Sequence, residues 1–255
     1  MGVPFLIFDI SGRYAHFRMR YTTTSAATHL IPPRHTIGGI IGAILGVQKD
    51  EVYSVFSPEQ SFIGLETISK LSTVKITFNL LKIKGSRQIS TLLGVKEHII
   101  VPFQLVREPK YRIYFHHEDN QIMSELESLL KNKECIYSPS LGLASMLAKT
   151  DYIGKASGTV LALEETVGED IETLSVAPLT AFDPIPQPGN HFIIDKFARY
   201  LDKERKPDGF YRVVFDANAQ PIKGQIIETQ DPKKHMGSKL LKIKETDQQK
   251  VIFVW

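Results

Sequence analysis

Gripping a phosphate backbone takes cations and N–H donors laid along one path, and this chain presents them in three runs. The first is Tyr14, His16, Arg18 and Arg20, every second residue of an extended stretch, sharing one face while Ala15, Phe17 and Met19 take the other. The second is Arg34, His35 and Thr36, directly after Pro32 and Pro33, where an apolar stripe of Ile37, Ile40, Ile41, Ile44 and Leu45 predicts a helix. Free N–H groups and the helix dipole at such a start favour an anion. Gly38, Gly42 and Gly46 recur four apart along it. An interior helical Gly costs about 1 kcal/mol relative to Ala, so the spacing reflects either tight packing of helix on sheet or a phosphate passing close to the backbone. The third run is Lys75, Lys82, Lys84 and Arg87, within a segment 70–112 that holds nine basic and two acidic residues. Lysines on a solvated hairpin explain such charge in part. Its one-sidedness favours a nucleic-acid contact.

Other chemistry is mostly absent. Gly38, Gly39 and Gly42 have the wrong spacing for a dinucleotide fingerprint, and there is no Gly-Lys-Ser/Thr phosphate loop. The eight histidines are scattered, and His116 and His117 would point to opposite faces of a strand, so no metal site is expected. Cys135 is the single cysteine, which excludes an internal disulfide and reads as a small buried thiol. No cofactor is implied. Metal-free RNA cleavage remains the one enzymatic option, since it needs only a base, an acid and a cation around a 2′-hydroxyl, and His117 is its candidate.

The elements that position these residues follow from periodicity. Residues 5–10 form an apolar first strand, with a bend at Ser11 and Gly12. Val74, Ile76, Phe78 and Leu80 alternate with Lys75, Thr77 and Asn79, and a return run over 98–106 makes this a long projecting hairpin of about 72–108. Residues 110–116 form another strand, and Asp119 or Asn120 caps a helix stopping near Asn132. Strand, helix, hairpin, strand and helix is the order of an α+β, ferredoxin-like (RRM-like) domain over 1–155 with an inserted β-hairpin thumb. Beyond it, short strand candidates at 159–163, 174–179, 211–215 and 251–254 predict a smaller β-rich region, 156–255. Charge is divided unevenly: residues 1–112 net +7 and residues 113–255 net −4, which points to a polyanion on one side of the molecule. Lysines 233, 234, 239, 242 and 244 form a late basic cluster. Asp9 interrupts the only apolar run near the amino terminus, and no apolar stretch approaches the roughly 20 residues of a membrane span. A cytoplasmic protein without a membrane partner is expected.

Two motifs carry a resemblance. Ser11, Gly12, Ala15, Phe17 and Arg18, followed by Pro-Pro-Arg and a helix ending Gly-Ala-Ile-Leu-Gly at 42–46, resemble the amino-terminal signature of the Cas-five family of CRISPR-associated subunits in the RAMP superfamily. Residues 137–148, Tyr-Ser-Pro-Ser-Leu-Gly-Leu-Ala-Ser-Met-Leu-Ala, resemble the family's Tyr-x-Pro-x-Leu-Gly segment. The resemblance implies a non-catalytic, antiviral-defence subunit of a type I effector complex (Cascade) that binds the 5′ handle of the crRNA. It also implies the Cas-seven backbone subunit, the Cascade large subunit and target DNA as partners. Handle phosphates and bases would then meet Ser11, Arg13, His16, Arg18, Arg20, Arg34, His35, Thr36 and Gly38. The guide or target strand would meet Lys75, Lys82, Lys84 and Arg87. One branch of the family cleaves precursor crRNA with a Tyr near the end of the first helix and a Lys-His pair before the second. Here those places read Ala43-Ile44-Leu45 and His116-His117-Glu118, so the endoribonuclease reading is the alternative.

Overall fold

The run Phe5, Leu6, Ile7, Phe8 and Ile10 is buried on both faces, as a strand with neighbours on each side requires. In a computed structural model the chain is described over residues 2–255 except 21, 23–25, 84–96, 203, 229–237 and 246–247, with backbone only at 244, 245, 248 and 249. Its elements are β1 (Val3–Ser11), β2 (Tyr14–Ala15), β3 (Phe17–Arg18), β4 (Thr28–His29), α1 (Arg34–Leu45), α2 (Val52–Val55), β5 (Ser61–Thr67), β6 (Ser72–Leu81), β7 (His98–Arg107), β8 (Lys110–His117), α3 (Asn120–Asn132) and β9 (Lys149–Ala162). There follow β10 (Asp170–Thr173), β11 (Ala177–Pro178), β12 (Phe182–Ile185), β13 (Phe192–Ala198), β14 (Phe210–Asp216), β15 (Ile222–Ile226), β16 (Lys239–Glu245) and β17 (Gln248–Val254). The fold is mixed α/β, mostly strands with few helices among the described residues.

β1 lies between β8 and β9, β5 lines up on β8, and β16 and β17 close the sheet from β9 back to β5 as a six-stranded barrel. One face of β1, Leu6, Phe8 and Ile10, packs on the apolar stripes of α1 and α3. Its other face, Phe5 and Ile7, joins Tyr114, Leu241, Ile252 and Val254 in the space the strands enclose. The boundary expected near residue 155 therefore falls inside β9. Phe197, Tyr211, Phe215 and Trp255 belong to the same core as Leu6 and Ile37, and a smaller cluster around Phe182 lies wholly within 156–255. Two three-stranded sheets, β11-β14-β13 and β10-β15-β12, flank the barrel.

β6 and β7 pair antiparallel from Ser72↔Arg107 to Leu81↔His98, so Val74, Ile76, Phe78 and Leu80 share a face with Leu105, Phe103, Val101 and Ile99. Asp119 caps α3 by accepting the N–H of Gln121 at 2.7 Å. The stretch after Gly12 differs from the single strand expected. It breaks into β2, paired with β7, and β3, paired with β4, because the N–H of His16 is taken by the carbonyl of Leu141 at 2.9 Å between them. Cys135 is exposed rather than buried, since it follows the left-handed Lys133 that ends α3 and lies outside the helix's apolar face. No helix among the described residues is long and apolar enough to cross a membrane.

Candidate nucleic-acid interface

α1 sets the geometry. Pro33 is extended before it, no side chain caps its start, and Gly46 ends it at φ 77°, a left-handed position that glycine adopts without strain. A Cβ at Gly38 would touch Phe56 at 3.4 Å, and one at Gly42 would meet Val52 at 3.1 Å, so these two glycines serve packing against α2. Gly39 instead has nothing within 4 Å of where its Cβ would stand. It faces an open groove.

That groove has two parts, which meet at His35. The first is a cleft of about 370 Å³ lined by Arg18, Arg20, His29, His35, Lys196 and Phe210, with Pro33, Phe197 and Ala198 between them. β3 and β4 bring Arg18 and His29 to it, and the ladder Ala198↔Phe210 of β13 and β14 brings the far wall. The second, about 380 Å³, runs along α1 past Gly39 and Ala43 to Lys49, Tyr53 and Tyr137. In the cleft, Phe210 is 49% exposed, a large ring left in water, and the Lys196 ammonium lies 5.1 Å from its centroid. His29 Nδ1 is 2.7 Å from the Asp195 carboxylate and its ring packs 4.7 Å from Phe197, which fixes that wall. Burial, reinforced by the nearby Arg20 and His29, pushes His35 down to about 4, so at neutral pH it is an uncharged hydrogen-bonding ring. Exposed cations beside an exposed aromatic ring form an arrangement suited to a single-stranded nucleic acid, whose phosphates meet the former and a base the latter.

The structure gathers only some of the expected residues here. Arg18, Arg20 and His35 line the cleft; Ser11, Arg13 and Thr36 do not. Arg34 is a correction: it is 3% exposed, and its Nη2 donates to the carbonyls of Phe56, Ser57 and Ser61 and to the Ser61 hydroxyl, bracing the turn before β5. A first-turn helical side chain here points into the protein because α2 and that turn cover it. His16 is likewise 2% exposed, with Nδ1 2.9 Å from the Gln104 carbonyl, and its burial lowers its basicity. Gly38 is covered by Phe56. Lys75 and Lys82 are exposed on β6 and beyond it, Lys82 lying 3.5 Å from Glu97. Lys84 and Arg87 lie outside the described residues, as do Lys233 and Lys234. His117 is 3% exposed with both ring nitrogens in use: Nε2 donates to the Val55 carbonyl and Nδ1 accepts the N–H of Asp119, each at 2.9 Å.

His29, Lys196 and Phe210 escaped the sequence reading. Lys196 sits among residues 192–198, an alternation with turn residues before it, and Phe210 follows Gly209 at φ 78°; both are strand-edge signals. What sequence could not show is that this edge faces α1.

The two sequence motifs meet in space. Gly142, at φ 100°, lies so close to His16 that a Cβ there would stand 1.9 Å from its carbonyl oxygen, and one at Gly12 would stand 2.7 Å from Leu141. Ile136 and Tyr137 donate to the carbonyls of Ile44 and Ala43, at 3.0 and 2.9 Å. Residues 136–142 thus strap the end of α1 to the loop after β1.

The chain is thus a barrel-centred α/β protein with a basic, aromatic-edged cleft beside its first helix. The family model for CRISPR-associated protein (Cas_Cas5) matches residues 5–209, and the chain belongs to that family. No curated protein matches it. Among solved structures, the crystal structure of a CRISPR protein from Archaeoglobus fulgidus is similar at a TM-score of 0.57 and 10% identity, covering 98% of this chain and 99% of that one. A chain of a CRISPR RNA-guided surveillance complex gives 0.46 and 9%, with 87% and 90% covered. A chain of a Type III-B Cmr-beta complex bound to target RNA gives 0.46 and 13%, with 85% and 86% covered.

Proposed function

We propose that the chain is a non-catalytic RNA-binding subunit of a CRISPR effector complex of type I, holding the 5′ handle of the crRNA in the groove that runs from Phe210 over His35 to Tyr137. The carrying observation is the cleft itself. Arg18, Arg20 and Lys196 stand around Phe210 with no carboxylate in ion-pair distance of any of them among the described residues. Family membership supports the assignment to CRISPR defence. On this reading β1, α1, β5, β8, α3 and β9, with sheet order β9-β1-β8-β5, form the ferredoxin-like unit, and β6 with β7 is the thumb, its lysines lying along guide or target strand. Cas-seven and the large subunit are the protein neighbours, in the cytoplasm.

The test is direct. Purified chain is titrated with single-stranded RNA of the host's repeat sequence, in EDTA, with product analysis on a denaturing gel. Binding without discrete cleavage is expected, and Phe210→Ala should weaken it by roughly tenfold, the loss of one stacked base. A single sharp cut, or affinity indifferent to Phe210, overturns the reading.

A further inference from the structure

Arg34 is a buried cation whose charge is only partly answered. Its Nη2 is satisfied by four acceptors, yet Nε and Nη1 are buried with no partner. Burial lowers its pKa to about 10, which leaves it charged at neutral pH. Among the described residues it makes no ion pair. The carboxylate that acts on it, Glu59, is exposed and bonded to Ser57 rather than to the guanidinium. A guanidinium buried without a counter-ion is costly, so an uncompensated one points to a ligand.

The space beside it has a consistent character. A small cavity is lined by Arg34, His35, Gly38, Tyr53, Arg199 and Tyr200, with Val52 and Phe56 behind. Arg199 Nε and His35 Nδ1 are also buried without partners, so four donor or acceptor nitrogens around one cavity are unmet. It sits at the uncapped start of α1, where the helix dipole adds positive potential. Tyr200 spends its hydroxyl on the Tyr53 carbonyl and so does not fill it. Room remains for one oxygen-sized atom, about 10 Å³. His35 and Tyr53 line this cavity and the groove alike.

We propose that this cavity is an anion seat, in which Arg34 and Arg199 take one non-bridging oxygen of an RNA backbone phosphate reaching in past His35 from the groove. The seat rests on the RNA-holding reading for its ligand, but not for its chemistry. Arg34 supplies one N–H group and Arg199 one to the oxygen, each from a nitrogen now without a partner, and neutral His35 can donate a third bond from its ring without adding charge. The phosphate sits above the first turn of α1, held where cleft and groove join, so the strand is fixed in register between Phe210 and Tyr137.

Two measurements test this. The RNA-free chain is melted in sodium phosphate and in sodium chloride at equal ionic strength, and the same is done with Arg199→Gln and Arg34→Lys. Phosphate should raise the melting temperature of the natural chain above chloride, and Arg199→Gln should abolish the difference while folding normally; Arg34→Lys should do the same if it folds. RNA titration should show Arg199→Gln about tenfold weaker, with the slope of log affinity against log salt shallower by about 0.7. An equal response to both salts, meaning an occluded water only, overturns the seat, as does a variant that keeps both the phosphate response and the salt slope. Should the natural chain bind no RNA yet keep an Arg199-dependent phosphate response, the seat stands and the guide-holding reading fails.

Discussion

Neutralising the three exposed cations of the cleft together, Arg18→Gln, Arg20→Gln and Lys196→Gln, gives the sharpest test of what the cleft is for. None of the three is buried and none makes an ion pair among the described residues, so the triple variant should keep its fold, each surface change costing within about 0.5 kcal/mol. Each cation that neutralises a single-strand phosphate contributes about 0.7 to the slope of log affinity against log salt, so removing three should flatten it by about 2. Between about 50 and about 200 mM salt, the natural chain should therefore lose roughly twentyfold more affinity than the variant. Fluorescence anisotropy with labelled repeat RNA, repeated across that range, reads the slopes directly. Matching slopes would mean that the strand runs elsewhere and that charge around Phe210 is incidental. The exposed Lys75 and Lys82 serve as the control, since the same arithmetic applied to them reports the β6–β7 projection rather than the cleft.

Two further outcomes are expected. Gly142→Ala, which forces a side chain against the His16 carbonyl at a left-handed φ, should lower stability by about 3 kcal/mol in urea unfolding, whereas Gly39→Ala, facing open space inside α1, should raise it by up to about 1 kcal/mol; comparable effects would refute the packing described for residues 136–142. Burial alone would raise the pKa of Glu127, but hydrogen bonds from Lys131, Lys155 and Tyr152 outweigh it and bring the group down to about 2. A carboxyl whose folded pKa lies below its unfolded value, ordinarily about 4.3, adds stability above that value and loses it as pH falls toward 2; Glu127→Gln should flatten unfolding free energy against pH in that window, and an unchanged profile would show that the cluster contributes nothing.

The local grammar of the chain was readable in order. The alternation from Val74 to Leu80 marks β6 because strand side chains repeat every two residues, and the register with β7 follows from it. Asp119 before an apolar stripe marks α3, since a carboxylate there answers free N–H groups. The Gly-interrupted stripe marks α1 and its start. The same rules misread His16 and Arg34: alternation and helix position say which way a side chain leaves its own backbone, but not what chain lies there to cover it.

The amino-acid order by itself determined α1, the β6–β7 hairpin, β8 and α3, the family motifs and the excess of positive charge in the first 112 residues. Only the tertiary structure decided which cations stand open in the cleft and which are enclosed. Arg34 is enclosed by carbonyls 22 to 27 residues away in sequence, and His29 is held by Asp195 across 166. Lys196 and Phe210 reach the cleft because Tyr211, Phe215 and Trp255 share the core beneath α1. Periodicity is a property of neighbours along a chain, whereas the free energy of a charge depends on everything packed around it. That packing is set by distant residues competing to bury apolar surface, and it is what turns a basic sequence into a site.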